Sequence, residues 1–456
     1  MKLMKYATLA VLLGALSAQA ADQRIDKAVR NIESRIPDVR NISVEPPVTI
    51  KQPPIDIDIP QAALEDARER LQELNVTALN TLDPLQKLPQ ELTIKNRVGD
   101  TILTERNVEN GWRAVANQWL LMLDNQDLDQ LNKVNAVIIK KTELKSLDMS
   151  LVQFSVPNEF DSLSALQKNL PAEWIKQLGR NHIYEANTEP SDEQQVAQKE
   201  QGLKIQNAVC DQSLRVGLID TAVETNHSAF NKASIQVKNF MSPDITVPTA
   251  HGTAVAGLLI GKQGELIPLL PKAELYSASV FYPRNEYSQG AALVSLVQAL
   301  DWMLGNKVVV INMSLTGPDN PILEQAIKRS VEKGSIIVAA AGNDGPAAKP
   351  LYPAAYKQVI GATAVDKKEQ VYRWANQGDY IDFAALGVSV LTTRANNQLG
   401  RESGTSIAAP VVSAFVACSA NKSADKDSIV TTLSKKAKDL GRAGKDKVFG
   451  YGLLHP

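Results

Sequence analysis

Three residues of this chain have the types and settings needed to break an acyl bond by nucleophilic attack. Asp220 ends the apolar run LRVGLID (214–220), His251 opens the stretch HGTAVAG, and Ser406 opens another in GTSIAAP. Each alone is an ordinary helix or turn cap. Together they supply an acid, a base and a nucleophile in the order Asp, His, Ser, one of the chain orders in which the serine-hydrolase triad occurs. A serine hydroxyl attacks poorly at neutral pH, so a histidine must take its proton and later return it to the leaving group. A carboxylate fixes the imidazole tautomer and stabilises the imidazolium without itself taking the proton.

Such chemistry requires a scaffold that gathers three distant residues at one edge. From Leu203 onward strands alternate with helices: the run ending in Asp220, a helix after His251, an amphipathic helix over 289–304 feeding strand 307–315, and a helix over 321–334 feeding strand 335–343. At least two β-α-β units in series predict an α/β domain, a mostly parallel sheet with helices on both faces. Ligands then belong at the carboxyl ends of its strands. His227 follows Asp220 closely but lacks the glycine-opened helix after His251, and His182 and His455 have no partner signal.

Four motifs, VGLIDTAV around Asp220, HGTAVAG around His251, AAAGNDG around Asn343 and SGTSIAAP around Ser406, together with the closing FGYGLLHP, give residues 203–456 a resemblance to the subtilisin-like serine peptidases, the subtilases. The resemblance implies an endopeptidase acting on polypeptide substrates, with Asp220, His251 and Ser406 as triad. Asn343 and the Ser406 backbone N–H would receive the negative charge of the tetrahedral intermediate. It also implies that NMSLTGP (312–318) pairs with an extended peptide, making Ser314, Leu315, Thr316 and Gly317 substrate-binding candidates. Thr316 and Leu351 stand where the family commonly has glycine, which predicts a shrunken pocket and a preference for small or modest side chains before the scissile bond. Ala222, Ala254 and Leu386 also depart from the family pattern, without removing a catalytic group. No cofactor is required. No consecutive acidic calcium loop is present, which leaves Ca²⁺ open and unplaced and assigns no metal ligand.

Upstream, residues 111–187 read β-α-β-β-α-β: strand 114–123, helix 126–134, strands 136–142 and 150–156, helix 162–170 and strand 181–187. That order is ferredoxin-like α+β. Subtilases are typically made with a propeptide of this topology that assists folding and blocks the cleft, so the resemblance implies that this domain is an intramolecular inhibitor. Residues 188–202, rich in Glu and Gln, form a linker with a candidate processing site. Residues 21–110 form an N-terminal extension, proline-spaced over 46–60 and helical over 63–74, with no assigned role.

Composition narrows the rest. A chain of 456 residues, 44% hydrophobic and 22% charged, is globular and long enough for roughly three folding units. A net charge of −1 lacks the basic excess that nucleic acid would favour. Residues 1–20 carry Lys2 and Lys5, a short apolar run and Ala18-Gln19-Ala20, the pattern of a cleaved secretion signal. The chain is therefore expected to be exported, periplasmic or extracellular, with no membrane span after signal removal. Export permits one bridge between its two cysteines, Cys210 and Cys418; the alternative is two buried thiols. A second functional class, an exported binding or folding-helper protein with a silent peptidase domain, and a third, hydrolysis of esters on the same machinery, stay open at this point.

Overall fold

The computed structural model describes residues 88–123, 128–186, 204–285, 288–420 and 425–456. The expected signal, proline-spaced segment, 63–74 helix and 188–202 linker lie outside them. Leu88–Pro456 form one compact unit.

Its N-terminal part comprises β1 (Glu91–Lys95), β2 (Thr101–Asn107), β3 (Arg113–Leu123), β4 (Val137–Leu144), β5 (Met149–Ser155), helices α1 (Leu163–Asn169) and α2 (Ala172–Ile175), and β6 (Leu178–Ala186). β4, β5, β3 and β6 lie side by side in that order, every pair antiparallel. This is the strand order of a split β-α-β unit. The stretch read as a helix over 126–134 is instead a 3-10 helix over Leu128–Val134. Its buried Leu131 and Val134 are three apart, the spacing that a 3-10 turn aligns on one side. The β1–β2 hairpin, within the stretch read as N-terminal extension, extends the sheet by pairing β2 with the start of β3. Asn96 Oδ1 accepts the N–H groups of Val98 and Asp100 and closes its turn.

The larger part contains β7 (Arg215–Asp220), β8 (Ser234–Asn239), α3 (Ala250–Ile260), β9 (Glu274–Ser279), β10 (Tyr282–Pro283), β11 (Gln289–Ala292), α4 (Leu293–Gly305), β12 (Val310–Met313), β13 (Leu315–Thr316) and α5 (Pro321–Glu332). It continues through β14 (Ile336–Ala340), β15 (Val359–Val365), β16 (Ile381–Leu386), β17 (Val390–Arg394), β18 (Gln398–Glu402), α6 (Thr405–Ser419), α7 (Lys426–Ser434) and β19 (Leu453–Leu454). Eight strands form one sheet in the order β8-β9-β7-β12-β14-β15-β16-β19. All its strand pairs are parallel.

Side-chain alternation fills both faces. Val216, Leu218, Val310 and Val338 pack with residues of α3 and α6, whereas Ile219, Ile311, Ile337 and Ala339 pack with residues of α4 and α5. This is why the strands read as continuous apolar runs rather than alternating ones. The chain leaves β7 toward β9 on one side and returns to β12 on the other, so the sheet's switch point lies between β7 and β12.

The N-terminal sheet is also two-faced. Trp119, Leu121, Val152 and Phe154 share a core with Leu166 and Trp174 of its own helices. Leu120, Met122 and Leu151 join the cluster of α4 and α5. Asp301 on α4 accepts the backbone N–H groups of Ser146 and Leu147 in the β4–β5 turn. The expected 289–304 helix is corrected at its start: Gln289–Ala292 is strand, because β6 pairs with it, and the helix begins at Leu293. Here a long-range ladder overrides the helix propensity of the alanines.

Candidate active site

Asp220 is the last residue of β7 and is fully buried. Its Oδ1 lies 2.7 Å from His251 Nδ1 and accepts the Thr221 N–H at 2.7 Å. His251 reaches it because the first turn of α3 lies directly on the strand end. Gly252 N–H donates to Thr221 Oγ1 at 2.7 Å, and a Cβ on Gly252 would stand 2.3 Å from the Thr221 carbonyl oxygen. Only glycine tolerates this approach, which explains the His-Gly pair at the helix start. His251 Nε2, on the far side of the ring, is buried with no hydrogen-bond partner among the described residues.

Ser406 sits in the first turn of α6, at the same edge of the sheet. Pro410 inside that helix has no N–H, so the Ser406 carbonyl loses its ordinary partner four residues on. Ser314 Oγ replaces it, donating to Ser406 O at 2.9 Å. Ser314 Oγ in turn accepts from Asn312 Nδ2, and Asn312 Oδ1 accepts from Ser413 Oγ, both at 2.9 Å. A buried polar chain thus ties the end of β12 to α6. Asn343 follows β14; its Oδ1 accepts both the N–H and the hydroxyl of Thr405, at 3.0 and 2.9 Å. The carbonyl end being held, Nδ2 remains buried without a partner, a donor available to a developing oxyanion beside the Ser406 helix start. Sequence reasoning missed Thr221, Thr405 and the Ser314 link; the one legible signal was a proline four residues after the serine.

Burial of the His251 ring opposes its charged form. The Asp220 carboxylate, by charge and hydrogen bond, and the charge of Glu402 outweigh burial and hold the imidazole above the ordinary histidine range. Glu402, itself raised chiefly by burial, is ion-paired with Arg394. A histidine base works neutral, so the acid limb of kcat/KM should lie above an ordinary histidine titration. Glu402→Gln removes one of the raising charges and should move that limb to lower pH in a stopped-rate profile; an unmoved or upward-shifted limb contradicts the assignment.

The other histidines have different surroundings. His227 Nε2 contacts the Gln398 carbonyl and Nδ1 accepts from Ala229 N–H, so both ring nitrogens are engaged by backbone. His182 is half-buried against Asn320, and loss of hydration lowers its pKa to about 4.

Of the substrate-strand candidates, Leu315 and Thr316 form β13, Ser314 precedes it and Gly317 follows, bridged to Tyr352. Leu351 is buried, and its Cδ1 lies 2.6 Å from where a Cβ on Gly342 would stand. Cys210 and Cys418 are joined, S–S 1.98 Å, tying the chain before β7 to the end of α6. Among the described residues no group of three or more His, Cys, Asp or Glu could hold a metal ion, and no helix is long and apolar enough to cross a membrane.

The model of the subtilase family, peptidase S8, matches residues 211–452. The minor extracellular protease Epr of Bacillus subtilis is 30% identical over 247 residues, 53% of this chain but only 38% of that protein. The major intracellular serine protease of the same organism is 32% identical over 236 residues, 49% of this chain and 72% of the relative. Subtilisin DY of Bacillus licheniformis is 30% identical over 253 residues, 53% of this chain and 89% of the relative.

Proposed function

This chain belongs to the subtilase family, and we propose that it is an exported serine endopeptidase, made as a zymogen that processes itself, with Asp220, His251 and Ser406 as triad and Asn343 as oxyanion donor. Ser406 Oγ attacks the scissile carbonyl as His251 Nε2 takes its proton. Asp220 holds the ring through Nδ1, and Asn343 Nδ2 meets the oxyanion. His251 then returns the proton to the leaving amine, and water repeats the cycle on the acyl-enzyme.

The observation that carries this reading is the position of β6. Its first half belongs to the N-terminal sheet. Its last residues run between two strands of the peptidase part: Ile183, Tyr184 and Glu185 pair with Ala292, Ala291 and Gly290, and Glu185 and Ala186 with Thr316 and Leu315. An extended segment added to two strand edges is how a peptide substrate is held by backbone bonds. Tyr184 is fully buried there, its hydroxyl donating to the Pro318 carbonyl at 2.8 Å. A Cβ on Gly317 would stand 2.3 Å from its ring, so the glycine makes room for it. The N-terminal domain thus supports the inhibitory role: it occupies the path a substrate needs and is braced on α4 and α5. Self-cleavage is assigned to the linker after β6. The Cys210–Cys418 bridge favours an oxidising destination, hence export.

Incubating the purified full-length protein and sequencing new N-termini tests the reading. A new N-terminus within residues 188–202 with onset of casein hydrolysis is expected; a chain that stays whole and inactive, even after added protease removes the N-terminal domain, refutes it. The pocket yields a further expectation. Leu351→Gly should raise the preference for Phe over Ala before the scissile bond by about tenfold or more in a peptide series. An unchanged ratio would show that Leu351 does not bound that pocket.

A further inference from the structure

Beside the strand that β6 occupies lies a buried arginine that neither the triad nor the oxyanion site uses. Arg284 follows β10 and its side chain is almost wholly buried. Nε donates to Glu105 Oε1 at 2.7 Å and Nη1 to Glu185 Oε1 at 2.6 Å; Nη2 is buried with no partner. Glu105 comes from β2 and is also held by Arg113 Nε at 2.6 Å and the Tyr282 hydroxyl at 2.9 Å. Both carboxylates that neutralise Arg284 therefore belong to the N-terminal domain, whereas Arg284 and Tyr282 belong to the peptidase part. Removal of that domain takes both acids away and leaves a guanidinium at the cleft wall, aimed at a defined position of the substrate strand.

The register defines the position. Glu185 faces Gly290 and Thr316, and Ala186 faces Leu315. In this antiparallel ladder a substrate's next residue falls opposite Ser314, whose hydroxyl is bonded to the Ser406 carbonyl. Taking the bond presented to Ser406 as the one that follows that residue, Glu185 marks the third position before it. Resting on the reading of β6 as a substrate mimic, we propose that Arg284 is a specificity-determining residue that selects substrates with an acidic side chain, glutamate above all, at the third position before the scissile bond. Asp344 sharpens the comparison to be made. Burial first, then the charge of Glu185, push its carboxyl upward, so a second acid stands within electrostatic reach. A lysine at the same position would meet Arg284 and Asp344 together and give an ambiguous result, whereas glutamine keeps the shape and removes only the charge.

The test uses the processed enzyme and quenched fluorogenic decapeptides of sequence NHIYEANTEP, residues 181–190, unaltered and with Glu185→Gln. Cleavage two residues after the glutamate, read by mass spectrometry, is expected. So is a kcat/KM about tenfold or more higher for glutamate than glutamine, as a charge-assisted hydrogen bond to a desolvated arginine supplies. That preference should shrink as salt rises. In Arg284→Gln it should fall toward unity, and Glu105→Gln combined with Arg284→Gln offers a second background in which the buried charges are removed together. Equal cleavage of the two peptides at the expected bond overturns the role of Arg284 and leaves the cleft reading intact. A glutamate preference that persists without Arg284 overturns it too. An enzyme that degrades casein but cuts neither peptide at that bond overturns the mimic reading, and the proposal with it.

Discussion

Ser406→Ala should abolish peptide hydrolysis while leaving the fold in place, and should leave the purified chain uncut. The expected fall in kcat is about a million-fold, a magnitude carried over from subtilisin itself, where losing the serine costs that much. Ser406 lies almost wholly buried in the first turn of α6, and alanine keeps its Cβ and its helical backbone. What is lost is the only group of the constellation that can form an acyl-enzyme. The Ser406 carbonyl, bonded by Ser314, and the Asn343 amide, held through Thr405, do not depend on the side-chain oxygen. The variant should therefore still bind peptide and retain the small residual rate that an oxyanion site and binding provide. A fluorophosphonate probe, which needs a nucleophilic hydroxyl, should label the wild type and not the variant. The same pair of samples separates two ideas. If the variant stays whole and the wild type acquires a new N-terminus after β6, one active site performs both reactions. If both are cut at one place, an outside protease does the processing. If the variant still labels, the nucleophile is another residue.

How much of this was legible without coordinates depends on whether the determining partner is near in sequence. LRVGLID reads as a buried parallel strand because helices cover both its sides, and β7 is that strand to within a residue. HGTAVAG and GTSIAAP mark helix starts because a glycine before or after the polar residue permits a close approach or a cap, and α3 and α6 begin there. The β4-β5-β3-β6 order follows from the sequence of elements, since a split β-α-β unit has few other ways to close. Gln289–Ala292 was misread because its strand character comes from Ile183–Glu185, about a hundred residues away. Nor could Glu105, Glu185 and Arg284 be grouped. Each looks like a solvated surface charge until segments from distant parts of the chain converge, burying Glu105 and Arg284 and bringing the exposed Glu185 onto the guanidinium. The orientation of Asn343 is a similar case. That an asparagine follows β14 is readable, but that its carbonyl end is taken by Thr405 and its amide end left free is a three-dimensional fact.

Asp220→Ala should lower kcat by about ten-thousand-fold with KM changed only a few-fold, again on the scale of the corresponding loss in subtilisin. Asp220 is fully buried and bonded to His251 Nδ1, so in the proposed mechanism it works through the ring, and a binding defect would point to collapse of the site instead. The more informative companion is Asp220→Asn. In the native site one oxygen, Oδ1, serves both the Thr221 N–H and His251 Nδ1. The Thr221 N–H requires an acceptor, so the asparagine should place its amide oxygen there and its NH₂ where Oδ2 now lies buried and unpartnered. His251 would then keep an acceptor for its Nδ1–H, with the productive tautomer retained and the negative charge gone. Two consequences follow in sign. The Asn variant should be faster than the Ala variant, because it still orients the ring. Its acid limb should lie at lower pH than that of the wild type, because the main charge raising the imidazole has been removed while burial still lowers it. Equal rates for the two variants would mean that Asp220 contributes through its charge alone and that the ring is oriented by packing. A rate within tenfold of wild type for Asp220→Ala would remove Asp220 from the machinery, and with it the order of acid, base and nucleophile from which the catalytic reading starts.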